Sequence, residues 1–263
     1  EVVSTFTTKH PCCKPRVTNI HRIAEIVDGA LVLPGETFSL NEHVGPRDRA
    51  RGFVEAPMIE RGSLVDAVGG GVSQFATTMF NAVFFAGLKD IEHKPHSFYI
   101  SRYPAGREAT VSSPQPDLKW QNDHPTGILV KTSYTGTTIT VTFYGTKQYD
   151  EIRSLSGVRT RPTKPKTVYL GPSTPEKKCN GVDVGQDGFD IVVYREFWKG
   201  GAQVKPRERF YTRYLPENVM ICTVDPATLP PPVVPPVTPP PTPPPATPPP
   251  PNPSATPSPA PTG

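Results

Sequence analysis

Apolar residues recur every three or four positions directly after three consecutive glycines. This period matches one face of an α-helix, and Gly87 suits its end because glycine accepts the left-handed conformation. The pattern predicts a core helix over residues 72–86, entered through the glycine turn at residues 69–71. The apolar positions are Val72, Phe75, Ala76, Met79, Phe80, Val83 and Phe84.

Ser73 stands where this glycine turn becomes the helix. The first backbone N–H groups of a helix have no partner within it, and the helix dipole is positive there. The position therefore favours an anion, or a nucleophile whose attack builds an oxyanion. Serine is also a preferred N-cap, whose hydroxyl accepts from the N–H two or three residues on. The spacing leaves both interpretations of Ser73 open.

Alternating segments elsewhere predict short β-strands, of which the clearest form a hairpin with arms at residues 128–134 and 138–144. Residues 1–153 are therefore predicted to form an α+β domain, with short mixed sheets packed on the central helix. Its other predicted elements are a strand over residues 1–8, a helix capped by Asn19 and ended by Gly29, two strands around a Pro-Gly turn within residues 32–41, two strands within residues 53–68, and strands at residues 98–100 and 109–111.

Composition divides the rest of the chain into three parts. Residues 154–178 are rich in Thr, Pro, Lys and Gly, which predicts a linker. Residues 179–225 alternate again and predict a small all-β module with a turn at Gly200-Gly201. Of the 36 prolines, 20 lie within residues 226–263. Such a segment cannot bury a core, so a disordered Pro-rich tail is expected.

Four cysteines permit a closed disulfide set. Cys179 and Cys222 bracket the predicted β module and form the natural pair, whose closure would stabilise it by roughly 3–4 kcal/mol. Cys12 and Cys13 are adjacent, which leaves three alternatives. They form a strained vicinal disulfide, one of them acts elsewhere, or both remain reduced structural thiols. The even count favours an oxidising compartment.

The net charge and the first residues of the sequence bear on the partners and the location of the protein. With 28 basic and 24 acidic residues the net charge is +4, and the basic residues are scattered, which argues against nucleic acid as a partner. The sequence shows no signal peptide and no membrane helix. It starts at Glu1 without Met, so an export signal or a membrane anchor ahead of Glu1 is left open.

Several motifs occur together in one order. They resemble the VanW-like family of bacterial envelope proteins over residues 17–145, and Ser73 with the Cys12-Cys13 pair resembles the family's actinobacterial branch. Residues 179–224 more weakly resemble the G-five domain attached to cell-wall proteins. The motifs are Asn19-Ile20, PGETFSLN at residues 34–41, GGGVSQFATTMFNA at residues 69–82, His96-Ser97, residues 103–106 and Ala109-Thr110-Val111.

The resemblance implies an extracytoplasmic cell-envelope protein, membrane-anchored or secreted, that acts on or binds peptidoglycan stem peptides. Some members are regarded as L,D-transpeptidases whose cysteine lies in a GGGxCQ motif, and Ser73 occupies that position here. Acyl transfer would then use Ser73 as nucleophile, His96 as base and Glu108 to orient the imidazole. A serine hydroxyl is not ionised and needs a well-placed base, so the alternative is a non-catalytic peptidoglycan-binding or scaffolding protein.

His93 and His96 form an HxxH pair, but Pro95 breaks any helix through them and no third ligand is near. With no CxxC pair either, neither a metal nor a cofactor is expected. Arg102 is a candidate for binding a peptide carboxylate. The predicted substrate-binding residues are Gly70, Gly71, Gln74, Arg102 and Tyr103.

Overall fold

The computed structural model of the protein confirms the central helix, α3, which spans Ser73–Ala86. Gly87 takes the left-handed conformation at φ 73° and donates its N–H to the carbonyl of Phe84, which ends the helix. Of the fourteen residues of α3, twelve are buried. The helix is therefore enclosed by other elements on nearly every side, instead of exposing one polar face to water.

The structure describes residues 1–60, 63–172, 184–224 and 228. Contacts join Glu1–Asp225 into one unit. Cys179 and all of the Pro-rich tail except Thr228 lie outside the described residues, so the Cys179–Cys222 disulfide and the disordered tail stay predictions. Cys12 and Cys13 are exposed free thiols, with their sulfur atoms 2.6 Å apart.

The main sheet of the first part is antiparallel and contains the predicted hairpin. Its inner face carries Ile139, Val141 and Phe143, which belong to the same buried core as the apolar side of α3. The chain start also forms a strand, as predicted. The strands, in spatial order, are β1 (Val2–Lys9), β9 (Thr138–Tyr144), β8 (Ile128–Tyr134) and β2 (Leu31–Val32).

The first helix, α1 (Pro15–Val27), begins four residues before the predicted cap. Proline fits the first turn of a helix because its missing N–H is not needed there. The prediction that Asn19 caps this helix is therefore wrong, since Asn19 lies inside α1 and is fully buried. Its side-chain amide donates to the carbonyls of Val54 and Gly70, both at 2.9 Å.

Smaller elements complete the first part. The strands predicted at residues 98–100 and 109–111 are wrong, since neither segment belongs to a sheet. One small sheet has the order β3-β7-β6, and a second consists of β4 paired with β5. These elements are β3 (Thr37–Ser39), α2 (Leu40–Val44), a short 3-10 turn (Arg49–Arg51), β4 (Glu55–Glu60), β5 (Ser63–Val68), β6 (Lys89–Glu92) and β7 (Lys119–Gln121).

The second part consists of strands, and the turn predicted at Gly200-Gly201 joins the two longest. Three strands lie wholly or partly within residues 154–178, so the predicted linker is wrong as far as Tyr169. Strand β13 pairs with three neighbours, and β12 runs parallel to β15. The strands are β10 (Glu151–Ser156), β11 (Thr160–Thr163), β12 (Thr167–Tyr169), β13 (Gly188–Lys199), β14 (Ala202–Tyr214) and β15 (Val219–Ile221).

The β13–β14 hairpin packs against the C-terminal half of α3. The ring of Phe210 lies 5.4 Å from that of Phe84. Buried Arg195 donates to the carbonyl of Phe84 at 3.2 Å and pairs with Glu208. These contacts satisfy a carbonyl near the helix end and bind the second part of the chain to the first. Within the described residues no helix is long and apolar enough to span a membrane.

Candidate functional site

The hydroxyl of Ser73 does not cap its own helix. Val72 holds the N-cap position, and Ser73 is the first residue of α3. Its Oγ accepts from the N–H of Val111 at 3.2 Å and lies 3.5 Å from the carbonyl oxygen of the same residue. The N-cap interpretation is therefore wrong, because the hydroxyl serves a contact between distant parts of the chain.

Two more polar side chains of α3 repeat this contact along residues 107–111. Thr77 Oγ1 lies 3.1 Å from both the N and the O of Ala109. Asn81 donates to the carbonyl of Arg107 at 2.9 Å. Residues four apart share one helix face, so Ser73, Thr77 and Asn81 form a polar ladder. The ladder holds residues 107–111 alongside α3 and thereby positions Glu108.

His96 and Glu108, the predicted base and its orienting group, are in direct contact. His96 Nδ1 lies 2.6 Å from Glu108 Oε2, and Glu108 is fully buried. Tyr214, at the end of β14, donates to the other carboxylate oxygen at 2.7 Å and accepts from the N–H of Gly106 at 2.8 Å. Burial and the nearby Glu108 charge raise the pKa of Tyr214, so the hydroxyl keeps its proton.

Arg16, which the sequence reasoning missed, lies beside the start of α3. Its guanidinium donates to Gln74 Oε1 at 3.1 Å. Gln74 is fully buried, and its amide nitrogen donates to Thr8 and to the carbonyl of Lys9. Gln74 therefore joins β1 to α1 and holds Arg16 in place. No periodicity or motif distinguishes Arg16 from a surface arginine, so no signal in the sequence could have found it.

The glycine turn allows its neighbours to come unusually close. Gly71 has φ of +93°, and a Cβ atom built there would lie 2.7 Å from Cβ of Arg16. A Cβ atom on Gly70 would overlap the carbonyl oxygen of Ala56 in β4. Gly70 is buried and its carbonyl is already bonded to Asn19. Both glycines are therefore explained by packing, and their predicted contact with substrate stays a prediction.

Arg102 and Tyr103 join Arg16 in one cluster. The Arg102 guanidinium lies 5.7 Å from the centre of the Tyr103 ring, and that ring stacks on His96 at 5.5 Å. Burial lowers the pKa of Arg16, and the positive charge of Arg102 lowers it further. The hydrogen bond and the charge interaction with Tyr103 act in the opposite direction and raise it. Among the described residues neither arginine forms an ion pair with a carboxylate. Arg16 and Arg102, the arginine pair, therefore carry charge that a bound anion can neutralise.

The structure thus brings most of the predicted residues together, but it does not bring Ser73 into hydrogen bonding with His96. Contacts run from Gly71 through Arg16 and Tyr103 to His96. The described residues contain no hydrogen bond between Ser73 Oγ and the imidazole. The chemical roles predicted for these residues stay predictions.

The two histidines of the HxxH pair have different partners. His93 Nδ1 lies 2.7 Å from Asp90, and its ring stacks on Phe80 at 4.1 Å. His96 instead contacts Glu108. Within the part of the chain that the structure describes, no group of three or more His, Cys, Asp or Glu residues could hold a metal ion.

Comparison with known proteins gives the family of this segment. Residues 15–144 match the family described as VanW like protein. This part of the chain is a VanW-like domain. It is similar to the uncharacterized protein YoaR of Bacillus subtilis, with 40% identity over 131 residues, 50% of this chain and 43% of YoaR. It is also similar to the vancomycin B-type resistance protein VanW of Enterococcus faecalis, with 29% identity over 115 residues, 41% of each chain. No solved structure matches.

The VanW-like domain contains the arginine pair, Ser73, His96 and Glu108. It ends before β14 and so does not contain Tyr214, which completes the hydrogen bonds of Glu108. The chain spans less than half the length of the curated relatives it matches. The likeness of residues 179–224 to a G-five domain and the assignment to the actinobacterial branch stay predictions.

Proposed function

We propose that this is a cell-envelope protein whose VanW-like domain binds the carboxylate of peptidoglycan stem peptides at the arginine pair. Two considerations support an envelope role. The relative from Enterococcus faecalis is named as a vancomycin resistance protein, which associates the family with the cell wall. The chain also resembles a family of envelope proteins in its motifs.

The arginine pair is the observation that carries the proposal. Guanidinium groups bind carboxylates through two parallel hydrogen bonds, and Arg16 is already partly desolvated, which strengthens such a contact. It lies beside the start of α3, where helix N–H groups also favour an anion. Stem peptides carry free carboxylates, so they fit this cluster chemically.

Binding suits the geometry better than acyl transfer does. A serine nucleophile needs a base within hydrogen-bond reach of its hydroxyl. The Ser73 hydroxyl instead contacts both backbone groups of Val111, at 3.2 and 3.5 Å. A thiol at this position would be ionised more readily, so the change from the family cysteine to serine removes the stronger nucleophile.

Acyl transfer is the second candidate, and the buried His96–Glu108 contact favours it. In that reaction Ser73 would leave Val111 and attack an amide carbonyl, and His96 would take the hydroxyl proton and give it to the departing amine. The amide bond would break as the ester to Ser73 forms, and the amine of a second stem peptide would then take the acyl group and free Ser73. Glu108, supported by Tyr214, would stabilise the imidazolium that forms. N–H groups at the start of α3 would hold the oxyanion.

One experiment separates the two candidates. Diaminopimelate-containing muropeptides are incubated with wild type, Ser73→Ala and Ser73→Cys, with binding followed by calorimetry and products by mass spectrometry. Binding by wild type without any product supports a binding protein. Product from wild type that disappears in Ser73→Ala supports acyl transfer.

Two other outcomes are informative. Product from Ser73→Cys alone would mean that the site kept the shape of an enzyme after losing its thiol, which agrees with binding as the present function. Absence of binding and of product with wild type would contradict both candidates.

A further inference from the structure

The sheet of the second part of the chain exposes one face that combines arginines and aromatic rings. In the β13–β14 pairing Tyr194 lies opposite Arg209, and Asp190 lies opposite Arg213. Paired residues of neighbouring strands point to the same face, and residues two or four apart on one strand do so as well. The side chains of Asp190, Tyr194, Arg209 and Arg213 therefore share one face, while Ile191 and Val193 point to the opposite face, into the core. We call it the arginine–aromatic face; it carries Arg153, Tyr194, Trp198, Arg207, Arg209, Tyr211 and Arg213.

Aromatic rings support three of these guanidinium groups. A guanidinium that stacks on a ring is held flat by cation–π attraction, and its N–H edges can still donate. Those of Arg153 already donate to Glu151, at 2.9 and 2.8 Å, whereas Arg207 and Arg209 have no ion-pair partner among the described residues. The face is therefore preorganised to donate hydrogen bonds in fixed directions. The stacks are Arg153 over Trp198 at 3.9 Å, Arg207 over Tyr194 at 4.1 Å and Arg209 over Tyr211 at 5.4 Å.

The charges of the face do not cancel. Buried Asp190 is shared by Arg161 and Arg213. Arg207 and Arg209 are exposed and form no ion pair among the described residues. On this face and on the adjoining strand β11, the acidic side chains are Asp190, Glu151 and Glu196, and the arginines are Arg153, Arg161, Arg207, Arg209 and Arg213. The surplus of positive charge makes an anion the complementary partner.

We propose that the arginine–aromatic face binds a linear phosphodiester polymer of the cell envelope. Forked guanidinium groups match phosphate geometry. Alternate residues of a strand stand about 7 Å apart, so Arg207 and Arg209 place positive charges at about that spacing along β14, and Arg213 follows about 14 Å beyond Arg209. A polymer with a phosphate in every repeat can meet several of these groups at once, whereas a single phosphate meets one.

The stacking also favours this polymer over a nucleic acid. Single-stranded nucleic acids gain much of their affinity by stacking bases on aromatic faces. Here guanidinium groups already cover rings of Trp198, Tyr194 and Tyr211. The face therefore offers contacts to phosphates more than to bases. The face lies outside the VanW-like domain, so this proposal rests on the envelope location proposed above but not on stem-peptide binding.

The test measures binding of the full chain to poly(glycerol phosphate) by calorimetry at low and at physiological salt. Arg207→Gln combined with Arg209→Gln is compared with Lys9→Gln combined with Lys147→Gln, which removes the same charge from exposed positions elsewhere. We expect wild type to bind more weakly as salt rises. The arginine double variant should lose at least about tenfold in affinity, and the lysine control less than about threefold.

Several results would overturn the proposal. Equal losses in the arginine and lysine variants would show that only net charge matters. Tighter binding to a single-stranded oligonucleotide with the same number of phosphates would favour a nucleic acid. Tighter binding to phosphatidylglycerol vesicles would favour a membrane surface. Absence of binding to poly(glycerol phosphate) by wild type, with an unchanged circular dichroism spectrum in all variants, would also reject it.

Discussion

At the scale of single residues, Ser73 shows how a distant contact decides what a side chain does. The local pattern placed this serine correctly at the start of a helix. It could not reveal the partner, because Val111 is 38 residues away and is held by side chains of α3. A thiol is a weaker donor and acceptor than a hydroxyl, so serine suits this contact better than cysteine does.

Removing the Ser73 hydroxyl should cost stability as well as any chemistry. In Ser73→Ala the N–H of Val111 loses its partner in a half-buried place, so we expect a loss of about 1 kcal/mol in the free energy of unfolding. Urea unfolding measures it. Exposed Ser133→Ala is the control, and equal stability of Ser73→Ala and wild type would contradict the assigned contact.

His124 should make stability depend on mildly acidic pH. Burial lowers the pKa of His124, an effect that Asp123 and the Gly87 backbone partly oppose. The unfolded chain then binds a proton at a pH where the folded chain does not, so this group's contribution is present above about pH 6.5 and is lost as the pH falls below it.

Urea unfolding at about pH 7.5 and 5.5 measures that loss, and the pH range follows from the ordinary histidine pKa. We expect His124→Gln to lose less stability between the two values than wild type does. An equal loss in both proteins would assign the dependence to other groups.

At the scale of elements, local periodicity predicted a helix or strand correctly where the residues of that element alone carry the pattern. The hairpin of β8 and β9 and the end of α3 at Gly87 match the prediction. It failed for residues 109–111, whose partners are helix side chains and not another strand. It failed for residues 154–178, whose pairing with β13 and β15 is not encoded in alternation nearby.

The candidate site divides in the same way. Motifs placed Ser73, His96 and Glu108 in one region. They missed Arg16 on α1 and Tyr214 on β14. Arg16 is distant in sequence from Gln74, and Tyr214 is distant from Glu108, so only the folded chain places each beside its partner.

The glycine turn should tolerate no larger residue at Gly70. In Gly70→Ala the added methyl group would overlap the carbonyl of Ala56, so β4 must move away from the glycine turn. We expect a loss above about 2 kcal/mol in unfolding free energy, as for overpacked cores. Gly136→Ala is the control, because nothing lies within 4 Å of a Cβ there. Similar stability of both variants would contradict this packing.

At the scale of the whole molecule, the second part of the chain completes the site of the first. Tyr214 bonds to Glu108 and to Gly106, and Leu215 donates to the carbonyl of Ser97 at 2.7 Å. The family match ends before these residues. The VanW-like domain of this protein therefore depends on the hairpin that follows it for the arrangement around His96.

Tyr214→Phe tests this dependence. It keeps the ring but removes the proton given to Glu108 and the oxygen that accepts from Gly106, so we expect a loss of about 1–3 kcal/mol in unfolding free energy. Tyr194→Phe, in the neighbouring strand, is the control. Urea unfolding of wild type and both variants measures the unfolding free energy. A Tyr214→Phe protein as stable as wild type would contradict the assigned hydrogen bonds.

The most direct measurement is calorimetric titration of a diaminopimelate-containing tetrapeptide into wild type, Arg16→Gln and Arg22→Gln. Both arginines lie on α1, but Arg22 contacts Glu25 and the Arg51 carbonyl, away from the arginine pair. We predict that wild type and Arg22→Gln bind alike and that Arg16→Gln binds at least about tenfold more weakly. Equal affinity of Arg16→Gln and wild type, or no binding by wild type, would contradict the account.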